Sequence, residues 1–165
     1  MSYRNNLKFT HASTVTAPAR QTISTTYTEL TGSKCAVSIS GADLFYKYSF
    51  YYSTIYDFAD GSTGAYDKPF LHFKLQSSTD NFVSNIVDIS GTEHNVSGDT
   101  QQNRDYYYRC QSAFFILENF TATHIRMVAR AYSTSNEVDL HRARQFDGSD
   151  DDEVYQNTTL LVLEL

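Results

Sequence analysis

The chain of 165 residues has no tryptophan, two cysteines, two prolines and only seven glycines. The cysteines, Cys35 and Cys110, show neither CxxC spacing nor the density of a disulfide-stapled domain. They read as free, buried thiols, with one long-range disulfide between them as the alternative. No stretch approaches the ~18 consecutive apolar residues that a membrane span needs, and residues 1–6 lack the apolar segment of a signal peptide. The expectation is therefore a protein made in the cytoplasm, away from membranes. The three glycosylation sequons at Asn95, Asn119 and Asn157 then carry little weight in so Ser/Thr-rich a chain.

Catalytic signatures are equally scarce. There is no GxSxG, HExxH, Walker-type loop or GxGxxG, and His11, His72, His94, His124 and His141 are scattered singly. We therefore expect no enzyme. The formal net charge is −6 and no stripe of Lys and Arg is present, which argues against nucleic acid as a direct partner. Helical periodicity, coiled-coil heptads and collagen-like repeats are missing too.

What the chain does have is aromatic alternation. Tyr and Phe supply all of the 15% aromatic content. Residues 44–58, LFYKYSFYYSTIYDF, hold eight aromatics in fifteen positions. Read with period two, Leu44, Tyr46, Tyr48, Phe50 and Tyr52 share one face, and Phe45, Lys47, Ser49, Tyr51 and Ser53 share the other. The same period puts Leu71, Phe73 and Leu75 opposite His72, Lys74 and Gln76, and aligns Ile125, Met127, Ala129 and Ala131. Strands are predicted near 21–30, 33–40, 43–57, 69–78, 81–89, 104–117, 122–133 and 157–165, with a weaker one at 139–145. Turn clusters such as Thr31-Gly32-Ser33 and Ser40-Gly41 punctuate them. About eight strands without βαβ alternation predict one all-β domain, a two-sheet jelly-roll sandwich over 21–165.

Three segments raise functional questions. The last run, Leu160-Leu161-Val162-Leu163-Glu164-Leu165, is apolar on both faces, so it sits either centrally in its own sheet or against another subunit. Residues 1–20 carry Arg4, Lys8 and Arg20, and read as a basic arm that anchors the domain on an acidic neighbour, or as a first strand. Asp147, Ser149, Asp151 and Glu153 alternate like part of a calcium loop but lack its glycine and its distant glutamate, so a solvated acidic loop is preferred. No cofactor is expected, with calcium as the alternative at Asp147, Asp151 and Glu153.

The succession TTYTELTGSKCAVSI (25–39), LFYKYSFYYS (44–53), LHFKLQSSTDN (71–81) and HIRMVARAY (124–132) ahead of a terminal apolar strand resembles the small jelly-roll structural proteins of tailed phages and other aquatic viruses. These in turn are similar to the trimeric tumour-necrosis-factor/C1q type of sandwich. The resemblance implies a non-enzymatic virion component, a homotrimer that decorates or cements a shell of major capsid protein or contacts another virion protein. Subunit contacts are expected from Tyr51, Tyr107, Leu161, Leu163 and Leu165, and anchoring from Arg4, Lys8 and Arg20. A fibre knob, or a lectin-like module binding receptor or carbohydrate through loops around 56–68 and 145–155, is the alternative.

Overall fold

The computed structural model describes residues 8–16, 18–38, 40–55, 70–89, 94–97, 107–131, 137–144, 153–155 and 157–165. Their regular structure is all β. The strands in chain order are β1 (Lys8–Val15), β2 (Gln21–Ile23), β3 (Thr28–Glu29), β4 (Cys35–Ala36), β5 (Ala42–Ile55), β6 (Phe70–Ser78) and β7 (Ile86–Asp88), then β8 (His94–Ser97), β9 (Tyr107–Phe120), β10 (His124–Ala131), β11 (Glu137–Leu140), β12 (Arg142–Arg144), β13 (Glu153–Tyr155) and β14 (Thr158–Glu164).

Two antiparallel six-stranded sheets form the sandwich. The first runs β1-β14-β5-β11-β2, with β9 on the other edge of β5. The second runs β3-β10-β6-β7, with β4 beside β10 and β8 beside β6. The two-stranded ribbon β12-β13 is a separate ladder whose β12 lies against β5 and β9. Apart from β6-β7 and β12-β13, paired strands are not consecutive in the chain, which repeatedly crosses between sheets, as a jelly roll requires.

The aromatic strand supplies the middle of the core. Leu44, Tyr46, Tyr48, Phe50 and Tyr52 are all buried, and they share one cluster with Leu71 and Leu75 of β6, Ile125 and Met127 of β10, Val138 and Leu140 of β11, and Leu160 and Val162 of β14. A tyrosine in such a position usually needs a partner for its hydroxyl. Tyr46 donates to the Ser33 carbonyl at 2.7 Å and Tyr48 to the Thr31 carbonyl at 2.6 Å. Burial drives both phenols well above their ordinary pKa, so they remain donors. These two bonds tie β5 to the turn between β3 and β4. Within that turn, Gly32 has φ +78°, and a Cβ there would meet Val15 Cγ2 at 2.7 Å, so glycine is required for both backbone and space.

Several expectations need adjustment. Fourteen strands are present among the described residues where about eight were expected, because the run at 21–30 breaks into β2 and β3, the weaker one at 139–145 becomes β11 and β12, and β1, β8 and β13 add to the count, while the run at 33–40 shrinks to Cys35–Ala36. Lys8–Val15 pairs with β14 and so lies within a sheet, which answers to the first-strand reading of that segment. The 81–89 strand shrinks to Ile86–Asp88. Its first half is instead a loop gathered around Asp80, whose carboxylate accepts from the Ser78 and Ser84 hydroxyls and from backbone N–H groups of Val83, Ser84 and Asn85. Those bonds hold the Asp80 carboxyl far below its ordinary pKa and fix Asn81 and Phe82 at positive φ.

The cysteines divide. Cys35 is a buried free thiol, pushed up to about 12 by desolvation. Cys110 is free but exposed, contrary to the buried thiol expected. It lies opposite Tyr51, on the side of β9 that faces away from the core.

Candidate interaction face

The register of the first sheet aligns its outward side chains in rows across neighbouring strands. One row runs Leu163, Phe45, Ile116 across β14, β5 and β9, and the next runs Ala12, Leu161, Lys47, Phe114 with β1 added. A third, Thr14, Thr159, Ser49, Ser112, is made of hydroxyls, with Ser49 and Ser112 bonded at 2.7 Å. Beyond it stand Tyr51 and Cys110. The outer face thus changes from apolar at one end to polar in the middle. Phe45 and Phe114 stack with centroids 6.3 Å apart, yet Phe114 keeps 66% and Ile116 65% of their surface in water. Leu165, held by a bond from its N–H to the Asp43 carbonyl, is 54% exposed at the same end.

A second surface, of mixed apolar and polar character, adjoins this face around the edge of the sandwich. β9 pairs with β5 along one side, and none of the described strands pairs its other side. Across the gap between sheets, β7 ends the second sheet with Ile86 and Val87 exposed. An open cleft of about 420 Å³ lies between them, lined by Ser77 and Ile89 from the second sheet and by residues 116–122 of β9 and its crossover. Natural sheets rarely leave a long apolar edge uncovered, because it recruits other chains.

The expected contact residues fall on these surfaces to different degrees. Leu161 and Leu163 are half-buried on the outer face, Leu165 is exposed there, and Tyr51 is half-buried farther along it. Tyr107 opens β9 opposite Thr54. β14 lies between β1 and β5, so its apolar character serves two sides: Leu160 and Val162 enter the core while Leu161 and Leu163 look outward. Phe114 and Ile116, the most exposed residues of the face, escape a reading by periodicity. They sit in Ala113-Phe114-Phe115-Ile116-Leu117, a continuous apolar run in which alternation carries no contrast.

The expected anchoring residues are dispersed. Arg20 pairs at 2.8 Å with Asp139, a carboxylate withdrawn entirely from solvent that also accepts from the Thr22 hydroxyl at 2.7 Å. That pair fastens the start of β2 to β11. Lys8 begins β1 opposite Glu164, and Arg4 lies outside the described residues. Of the calcium candidates, Glu153 begins β13 opposite Arg144, and Asp147 and Asp151 lie outside the described residues, as do the loops at 56–68 and most of 145–155. Among the described residues no three His, Cys, Asp or Glu side chains converge as a metal site would need.

One titratable side chain stands out away from these surfaces. His141, between β11 and β12, is fully buried at φ +70°, and neither ring nitrogen has a hydrogen-bond partner among the described residues. Its own backbone N–H donates to the Tyr51 carbonyl at 2.7 Å. Burial lowers the imidazole pKa to about 4, so it is neutral at physiological pH.

No family model matches the chain, and no curated protein matches it. Among solved structures, it is similar to a chain from the structure of the infectious bursal disease virus Gx strain, with 10% identity and a TM-score of 0.36. That alignment covers 93% of this chain and 37% of the viral one, so this chain spans well under half the length of the protein it matches.

Proposed function

We propose that the chain is a non-enzymatic structural protein of a virus particle, a capsid decoration or cement protein that assembles as a homotrimer and seats on a major capsid protein or another virion protein. The observation that carries the assembly is the apolar outer face together with the part-apolar open flank that adjoins it at Ile116. Two different surfaces that fit each other make a head-to-tail contact, which closes into a ring when the rotation allows. Three copies follow from the resemblance to the tumour-necrosis-factor/C1q type of sandwich and to viral jelly rolls.

Area supports the reading. Phe114, Ile116 and Leu165 on or beside the face and Val87 on the flank are each more than half exposed. Because each head-to-tail contact would use the face of one copy and the flank of the next, they bring on the order of 400 Å² of apolar surface to one interface, against ~1,600 Å² in total for an interface of standard size. That is about a quarter of such an interface, an apolar centre that further contacts and a polar rim would complete.

Light scattering on the purified protein tests the assembly. A mass of three chains is expected for the wild type, and Leu161→Ser with Leu163→Ser should reduce it to one, since both leucines face outward and leave the core intact. A wild-type mass of one chain at high micromolar concentration would refute the trimer. Co-sedimentation with virus shells tests the role, and selective binding on a glycan array would favour the lectin-like alternative.

A further inference from the structure

We propose that the ribbon β12-β13 is an acid-sensitive flap on the outer side of the first sheet, hinged at His141. It lies over the Tyr51 end of that side while the imidazole is neutral and lifts when the ring takes up a proton. The device belongs to a single chain and does not depend on assembly.

Register places the ribbon. β9 occupies one edge of β5 from Ala42 to Thr54, so β11 and β14 share the other edge. There they form one interrupted line: β11 ends with Leu140 opposite Tyr52, and β14 takes over with Thr159 opposite Ser49. The ribbon is the excursion between them. It begins at His141, whose N–H donates to the Tyr51 carbonyl at 2.7 Å and whose φ of +70° turns the chain out of the sheet. That left-handed backbone is unfavourable for a residue with a Cβ. The inner side of β5 is filled by the buried Phe50 and Tyr52, so β12 crosses the outer side, where it lies against β5 and against β9 beyond it.

The flap is weakly held. Its three pairs, Arg142 with Tyr155, Ala143 with Val154 and Arg144 with Glu153, join neither six-stranded sheet. A two-stranded ladder of that length is marginal alone and depends on its seat. At the seam is His141, withdrawn from solvent, with neither ring nitrogen bonded among the described residues. An imidazolium there would lack both water and an acceptor. The surrounding elements offer it no balancing charge. Tyr51, Tyr52 and Tyr155 bring phenols and Cys110 a thiol, while Lys47, Arg109, Arg142 and Arg144 carry its own sign. Of the acids, Asp139 is engaged by Arg20 and Thr22, Glu153 stands opposite Arg144, and Glu137 begins β11 opposite Ile55. Lifting the ribbon brings water to the ring. Burial lowers the imidazole pKa from 6.5 to about 4, so the closed form is favoured above pH 6.5 and loses ground as pH falls toward 4. Between pH 7.5 and 5 the opening equilibrium should rise roughly five- to thirtyfold.

Amide hydrogen exchange on the full chain, followed by NMR at pH 7.5, 6 and 5 with the chemical exchange rates divided out, measures the opening. Ribbon amides should exchange through an opening that low urea does not accelerate, whereas those of β10 should follow urea-sensitive unfolding. The ribbon opening should grow by the stated factor as pH falls, and His141→Asn, which tolerates the left-handed turn but cannot titrate, should abolish that growth. A ribbon that exchanges only together with β10, a wild-type opening independent of pH, or an unchanged pH response in His141→Asn would each overturn the flap. The wild-type ring gives a check that needs no variant: its NMR titration should fall well below 6.5, and an ordinary midpoint would overturn the hinge.

Discussion

Protonation of His141 should unfold this protein more readily in mild acid than its carboxylates alone would. The imidazole is fully buried without a hydrogen-bond partner among the described residues, and its pKa falls from 6.5 to about 4. Above pH 6.5 the ring is neutral in both the folded and the unfolded chain, so it makes no pH-dependent contribution. Below that, the unfolded chain takes up a proton that the folded chain refuses, and stability falls until the folded state is also protonated near pH 4. For those two pKa values the linkage amounts to about 1 to 2 kcal/mol at pH 5. Urea unfolding of wild type and His141→Asn at several pH values between 7.5 and 4 isolates this contribution. Asparagine tolerates the left-handed backbone that position 141 adopts but does not titrate. The wild type should lose about 1 to 2 kcal/mol more than the variant between pH 7 and pH 5. A stability difference between the two proteins that is constant over this range would refute the reasoning, because it would mean that His141 binds protons equally well folded and unfolded.

Two further outcomes test the packing that positions the interaction face. Tyr46→Phe should cost about 1 to 2 kcal/mol in thermal or urea unfolding, because it leaves the buried Ser33 carbonyl without its 2.7 Å donor. Arg20→Ala should cost about 2 kcal/mol, since the fully buried Asp139 carboxylate would keep only Thr22 of these two partners, and Arg20→Ala with Asp139→Asn should recover part of that loss in the same assay.

The sequence alone was sufficient to assign the all-β class and the inward face of the central strand. Alternation survives translation into structure because a strand's side chains must point to opposite sides whatever the strand pairs with. Leu44, Tyr46, Tyr48, Phe50 and Tyr52 are buried as expected, and Phe45 and Tyr51 lie on the side that needed a second explanation. The terminal leucines were legible as serving two surfaces for the same reason. Three features required the tertiary structure. Cys110 is exposed because its register opposite Tyr51 turns it to the outer face of the sheet, a fact about pairing that no local pattern contains. Arg20 is committed to Asp139, a partner more than a hundred positions away, where local charge alone assigns it to a neighbouring molecule. The apolar outer face exists only because Phe45, Phe114, Ile116, Leu163 and Leu165, drawn from segments distant in the chain, are brought into adjacent rows by the register of their strands. Periodicity is a property of each strand by itself, whereas an edge, an ion pair or a docking surface depends on which strands become neighbours. That choice is made by the core as a whole.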